Sequence, residues 1–189
     1  MPEMINKAIE FAVEKHKGQL RKGTNLPYIV HPLKVMSKLV EWGSYKDTII
    51  IGILHDTLED TNTTYEELVE NFGEYIADGV RFCTADKSIK DWEEQKREFM
   101  LRIEKCDRPE YVEASLADKY CNLSDIKADL ETEDWSAFWK RFKQPEDMEW
   151  YYKSLVAYFG RYFEDDYMDD PANKAIRQMK HMIVDIEWY

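Results

Sequence analysis

His31 in PYIVHPL, the adjacent His55 and Asp56 in GILHDTLED, and Asp118 in SLADKYCNL offer two imidazoles and two carboxylates. Such a set suits a divalent cation that activates water, because imidazole nitrogens and carboxylate oxygens can hold the ion while leaving coordination positions open. An adjacent His-Asp pair says little alone, since neighbouring residues on a helix diverge by about 100°. Near a helix end both side chains can still reach one ion. Glu59 and Asp60 follow closely, and Glu59 lies on the His55 face one turn on. A metal with a carboxylate pair beside it reads as a hydrolase. Taken singly, each residue has a plainer role: His31 in a turn before proline, Asp118 in an ion pair, Glu59 and Asp60 at a solvated helix end.

The stretches HKGQLRKGTNLPYIVHPLKV, ILHDTLEDTNTTYEELVENFG and LADKYCNL, in that order and spacing, resemble the HD-domain phosphohydrolases. More narrowly, they are similar to the small alarmone hydrolases of the stringent response. The likeness covers about residues 5 to 130, and the combination is far more specific than any one motif. It implies an all-α, single-domain helical HD fold with the metal site between central helices. It also implies His31, His55, Asp56 and Asp118 as metal ligands, manganese as the ion, and Glu59 and Asp60 as the water-activating pair. Arg21 and Lys22 of the RKG turn would lie by the nucleotide, and Asn122 would help hold its ribose or phosphate. The implied reaction removes pyrophosphate from the 3′ position of ppGpp or pppGpp, leaving GDP or GTP. Two other readings stand beside it: an HD-type phosphohydrolase releasing orthophosphate from another nucleotide, and a non-catalytic alarmone-binding protein. The synthetase and regulatory domains of the long alarmone enzymes have no counterpart here, so ppGpp synthesis is not expected.

Composition sets bounds on the rest. With 189 residues, 44% hydrophobic and 14% aromatic, residues 1–189 can bury the core of one domain. No apolar run approaches the roughly eighteen residues of a membrane span, and no leader pattern is present, so a cytoplasmic protein is expected. Cys83, Cys106 and Cys121 are odd in number without CxxC spacing, and read as reduced structural thiols. A net charge of −12 argues against a nucleic-acid partner. A small nucleotide remains compatible, because its binding depends on local fields. Lys15, Lys17, Arg21 and Lys22 form a basic island that reads either as a phosphate-facing rim or as a solvated helix end. A homodimer is left open. Seven glycines and no Gly-rich phosphate loop exclude a P-loop NTPase.

The elements that must position these residues follow from periodicity. Ile5, Ala8, Ile9, Ala12, Val13 and His16 predict a helix over about 3 to 17, broken by Gly18 and Gly23. Pro27 and Pro32 frame an extended entry into a helix carrying Val35, Met36, Leu39 and Val40, with His31 at its start and Gly43 as its stop. Thr48 to Leu54 is nearly all apolar, a buried strand by length, but motif context favours a central helix ending at His55 and Asp56. Thr63 and Glu66 have capping-box spacing ahead of a short helix that Gly73 ends. A charged helix over about 89 to 106 carries Trp92, Phe99 and Ile103, with no sign of chemistry. Asp107, Pro109 and Glu110 open a helix on which Asp118 and Asn122 share a face.

The C-terminal helices, about 132 to 187, are aromatic: Trp135, Phe138, Trp139, Phe142, Trp150, Tyr151, Tyr152, Tyr158 and Phe159 at helical spacing read as core packing. Tyr151 or Tyr152 could instead reach over the site as a stacking surface for a purine. The acidic run Glu164 to Asp170 reads as a solvated linker, and Asp170 with Pro171 starts a last helix, Ala172 to about Glu187. His181 on that helix has no carboxylate nearby in sequence and is left out of the site.

Overall fold

The segment KDTIIIGIL is apolar on all sides, so as a helix it must be buried on all sides. In the computed structural model, which describes residues 2–163 and 170–189, it forms the central helix α3 (Lys46–Leu54), with Thr48 through Leu54 buried. Around it pack α1 (Pro2–Lys15), α2 (Val30–Trp42), α6 (Glu74–Cys83) and α8 (Pro109–Leu130). Two glycines allow the close approach. A Cβ on Gly52 would stand 2.4 Å from Leu39 Cδ1, and one on Gly79 would stand 2.4 Å from Ile51 Cδ1.

Directly after α3 comes the single turn α4 (Thr57–Asp60), followed by α5 (Tyr65–Phe72) and then α6, hinged at Gly73 with φ +85°. α7 (Trp92–Lys105) and α10 (Met148–Tyr162) lie against each other, and α11 (Pro171–Asp185) closes on α8 and α10. The short α9 (Trp135–Trp139) brings Phe138 and Trp139 into the core, where both are fully buried and Trp139 packs beside Trp188. Among the described residues there is no strand, only an isolated antiparallel pairing of Leu20 with Pro27. The fold is all-α, as the resemblance implies.

Several local expectations shift in register. The cap of α5 is Thr64, whose Oγ1 accepts from Glu67 N–H, whereas Thr63 turns its hydroxyl to Thr61 at 2.7 Å. α8 starts from Arg108 with Pro109 in its first turn. Asp107 stays outside as an exposed residue and gives no cap. The charged helix begins only at Trp92, because Asp91 accepts from Glu94 N–H and fixes the start there. Cys106, in extended conformation, is the residue just past its end. α6 was not anticipated. Asp170 does cap the last helix, accepting from Ala172 and Asn173 N–H. The acidic run before it, residues 164–169, lies outside the described residues.

Candidate metal centre

The break between α3 and α4 explains how adjacent residues reach one point. His55 still has helical angles (φ −54°, ψ −34°), but Asp56 flattens to φ −92°, ψ −5° and α4 starts from it. Thr57 Oγ1 donates to Leu54 O at 2.7 Å, closing the end of α3. His31 arrives from the first turn of α2, and Asp118 from the middle of α8.

His31, His55 and Asp118 are buried, and one ligand atom from each lies within 4.8 Å of the others. His31 Nε2 is 3.0 Å from Asp118 Oδ1 and 3.8 Å from Asp56 Oδ2; His55 Nε2 is 3.0 Å from Asp56 Oδ2 and 3.5 Å from Asp118 Oδ1. Four side chains from three helices and one turn thus meet at a point. His55 Nδ1 lies 2.8 Å from Gly52 O and donates to it, so in the neutral ring Nε2 carries the lone pair. That Nε2 is buried with no hydrogen-bond partner, although two carboxylates surround it. A lone pair facing two carboxylate oxygens is repulsive unless a cation sits between them. This orphaned nitrogen, with its donor set, fits a divalent metal.

The electrostatics point the same way. Burial pulls the His55 pKa down, but Asp56 and Asp118 outweigh it and raise it well above the usual imidazole range. Burial would raise Asp118, yet Lys119 and His55 hold it well below the carboxylate range, and His55 does the same for Asp56 against its own burial. The cluster therefore draws a positive charge, as a proton or as a metal ion.

Glu59 and Asp60 line the same small cavity of about 210 Å³. Glu59 Oε2 accepts from Ala85 N–H at 2.9 Å. Asp60 Oδ2 lies 3.1 Å from the Tyr28 hydroxyl oxygen, and burial, with Asp56 and Glu59 close by, raises its pKa. Asn122 Nδ2 donates to Asp118 Oδ1 at 2.5 Å, and its Oδ1 accepts from Arg21 at 3.1 Å. Arg21 also pairs with Asp125 at 3.0 Å. Arg21, His31 and Asn122 line both this cavity and an adjoining one of about 330 Å³, where Lys22, Lys34, Arg141, Phe138, Phe142 and Tyr152 form the wall. The two cavities meet at these three residues. A wider open groove of about 810 Å³ beside α6 holds none of the expected site residues.

The basic island divides. Lys15 pairs with Glu67 at 2.7 Å and Lys17 with Glu14 at 3.4 Å, and neither lines the two cavities, while Arg21 and Lys22 line the one of about 330 Å³. The choice between Tyr151 and Tyr152 divides likewise: Tyr151 lines the metal-side cavity and Tyr152 the adjoining one. Both are buried. His181 stays away, its Nδ1 donating to Arg177 O.

The structure adds residues that periodicity did not reveal. Lys96 of α7, a helix without evident chemistry in the sequence, lines the metal-side cavity with its ammonium over the rings of Tyr151 (5.1 Å) and Trp92 (5.6 Å). It makes no ion pair among the described residues. Burial and the nearby Lys119 push its pKa down to about 8. Lys119 meets Asp118 Oδ2 at 2.6 Å, and this pairing overcomes burial to raise its pKa well above the usual lysine value. Tyr28 donates to Asp56 Oδ2 at 2.6 Å. Burial and these carboxylates keep its phenol protonated. Asp125 and Asp129 continue the face of Asp118 and Asn122 along α8, a spacing that was readable in the sequence.

Comparison with known proteins places this site in a family. A family model described as an HD domain matches residues 8–137. A guanosine-3′,5′-bis(diphosphate) 3′-pyrophosphohydrolase of Aquifex aeolicus (strain VF5) is 45% identical over 125 residues, which is 66% of this chain but 18% of that protein. The chain thus spans only a small part of the Aquifex relative. The enzyme of that name called MESH1 in Xenopus tropicalis is 41% identical over 136 residues, 70% of this chain and 74% of its own length. Among solved structures, a metazoan ortholog of SpoT that hydrolyzes ppGpp shares the fold with a TM-score of 0.75 at 22% identity, covering 94% of each chain. A Listeria monocytogenes EGD-e protein gives a TM-score of 0.70 at 28% identity, over 85% of this chain and 99% of its own. On the matched residues, and on relatives aligned over most of their own length, the chain belongs to the HD-domain family.

Proposed function

We propose that this protein is a divalent-metal-dependent phosphohydrolase that removes the 3′ pyrophosphate from ppGpp or pppGpp, giving GDP or GTP. The observation that carries this reading is the buried cluster of His31, His55 and Asp118, with half-buried Asp56 against it and an unpartnered His55 Nε2, opening beside a cavity large enough for a nucleoside. Relatives named for this reaction supply the substrate. Manganese is the ion we assign to the cluster, residues 1–189 the single domain, and the cytoplasm the location; no helix among the described residues is long and apolar enough to cross a membrane.

When bound, a divalent cation supplies Lewis acidity to the attacking water and the scissile phosphoryl group. The chain does the rest. Glu59, with Oε2 tied to Ala85 N–H, keeps Oε1 to accept the proton of the water, and Asp60 orients it. The water oxygen bonds to the phosphorus on the ribose 3′ oxygen, that P–O bond breaks, and the 3′ oxygen takes up a proton from solvent to leave as the alcohol, while Glu59 returns the water's proton to solvent. Lys96 and Lys119 face the departing pyrophosphate and offset its charge. Arg21 and Asn122 stand where the two cavities join and hold the nucleotide across them, with Lys22 and Tyr152 on the nucleoside side. The test is incubation of manganese-loaded protein with ppGpp and a panel of other nucleotides, resolved by ion exchange. GDP with pyrophosphate from ppGpp is expected; orthophosphate from other nucleotides, with ppGpp untouched, overturns the substrate.

A further inference from the structure

The phenol of Tyr28 stands between a metal-cluster carboxylate and a water-activating one. Its oxygen is 2.6 Å from Asp56 Oδ2 and 3.1 Å from Asp60 Oδ2. A phenol has one hydrogen, so it donates to one of these at a time. Asp56 Oδ2 is the same oxygen that faces His55 Nε2 at 3.0 Å and His31 Nε2 at 3.8 Å.

The ring itself is fixed. It stacks on His16 with centroids 4.8 Å apart and planes at 27°, and the Arg21 guanidinium lies 5.7 Å from its centroid. Tyr28 N–H donates to Gln19 O at 2.9 Å. The Gln19 side chain meets His16 Nδ1 at 2.8 Å and donates to Asp60 O at 2.7 Å, so the backbone of Asp60 is anchored to the same assembly. With the ring and the Asp60 backbone held, rotation about the C–O bond carries the phenol hydrogen from one carboxylate to the other.

We propose that Tyr28 is a positioning residue whose hydroxyl serves Asp56 when the cluster holds no cation and turns to Asp60 when it holds one. This rests on the reading that the cluster binds a metal and that Asp60 acts on water. A cation drawing on Asp56 Oδ2 makes that oxygen a poorer acceptor. Asp60, outside the cluster, then becomes the better one. Its Oδ2 is tied by the phenol and its Oδ1 is left to orient the water. Metal loading and carboxylate orientation are coupled through one rotating O–H.

The decisive experiment measures Mn²⁺ affinity by calorimetry, without substrate, for wild type, Tyr28→Phe, Asp60→Ala and the double variant. Phe keeps the stack on His16, so an unchanged melting temperature is expected. Asp60→Ala should weaken Mn²⁺ binding more in the wild-type background than in Tyr28→Phe, by about three- to tenfold, since one hydrogen bond is at stake. Equal weakening in both backgrounds overturns the proposal. At saturating Mn²⁺, Tyr28→Phe should lower kcat with KM little changed; a wild-type kcat there would mean that Tyr28 serves only Asp56. If wild type binds Mn²⁺ but leaves ppGpp intact, the substrate reading fails while the affinity cycle still decides the role of Tyr28.

Discussion

A single backbone carbonyl selects the nitrogen of His55 that faces the cluster: Gly52 O accepts the hydrogen bond from Nδ1–H, and Nε2 is turned toward two carboxylates. Removing one of those carboxylates, by Asp56→Ala, should abolish metal retention and turnover together, checked by metal analysis after gel filtration alongside an assay. Glu59→Ala should retain the metal and lower kcat by about 10²- to 10⁴-fold, the range for a lost general base; an unchanged kcat would remove Glu59 from that role. Lys96 gives a pH signature. Its ammonium, held down to about 8 by burial and Lys119, is intact below that pH and lost above it, so KM for a polyphosphate should rise as pH passes 8. Lys96→Arg should remove that rise, since guanidinium stays charged. The four residues that meet in the cluster were legible because histidines are few here and their order matched a known pattern. Lys96 was not, because a lysine facing a cavity and one facing solvent look alike on a charged helix. Tyr28 was missed because its two acceptors are brought to it only by the turn after α3.

Helix α3 couples packing to ligand geometry, since the residue whose carbonyl orients His55 is also the one whose missing side chain admits Leu39. Gly52→Ala should therefore lower stability by about 1–3 kcal/mol through overpacking. Metal affinity should fall with it; a thermal melt and a Mn²⁺ titration check the pair, and a loss of stability with unchanged affinity would uncouple them. The identity of this helix was only half legible: seven buried residues suit a strand as well as a helix, and motif context decided it. Element ends were less readable. Thr63 and Thr64 both have an acidic residue three positions on, and only the backbone shows that Thr64 takes the cap while Thr63 bonds Thr61. α6 escaped notice because Gly73 reads as a stop, whereas it ends one helix and begins the next. Along α8, Asp118 and Asn122 were read as sharing a face, and the structure extends that face through Asp125 and Asp129 from the cluster into the adjoining cavity.

A net charge of −12 does not prevent the molecule from gathering Arg21, Lys22, Lys34 and Arg141 around one cavity and Lys96 and Lys119 around the other. Because the cluster joins α2, α8 and the turn between α3 and α4, an ion held there ties the central layer together and binds only the folded chain. Metal at a hundredfold excess over its dissociation constant should add about 2.7 kcal/mol. Chelation should then lower Tm by roughly 5–10 °C, for a domain of this size; coincident melts with and without chelator would argue against a metal in the cluster. The aromatic C-terminal third is core at Phe138, Trp139, Tyr151, Tyr152 and Phe159 and half-buried at Phe142, Trp150 and Tyr158, but Trp135 is exposed, and Tyr151 and Tyr152 each line a cavity, which periodicity alone does not separate. The central claim, attack of water on the phosphorus at the 3′ position, is met most directly by running the manganese-loaded protein with ppGpp in ¹⁸O-water and weighing the products. One ¹⁸O in released pyrophosphate, and none in GDP, is the predicted result. Labelled GDP, or orthophosphate in place of pyrophosphate, would contradict it.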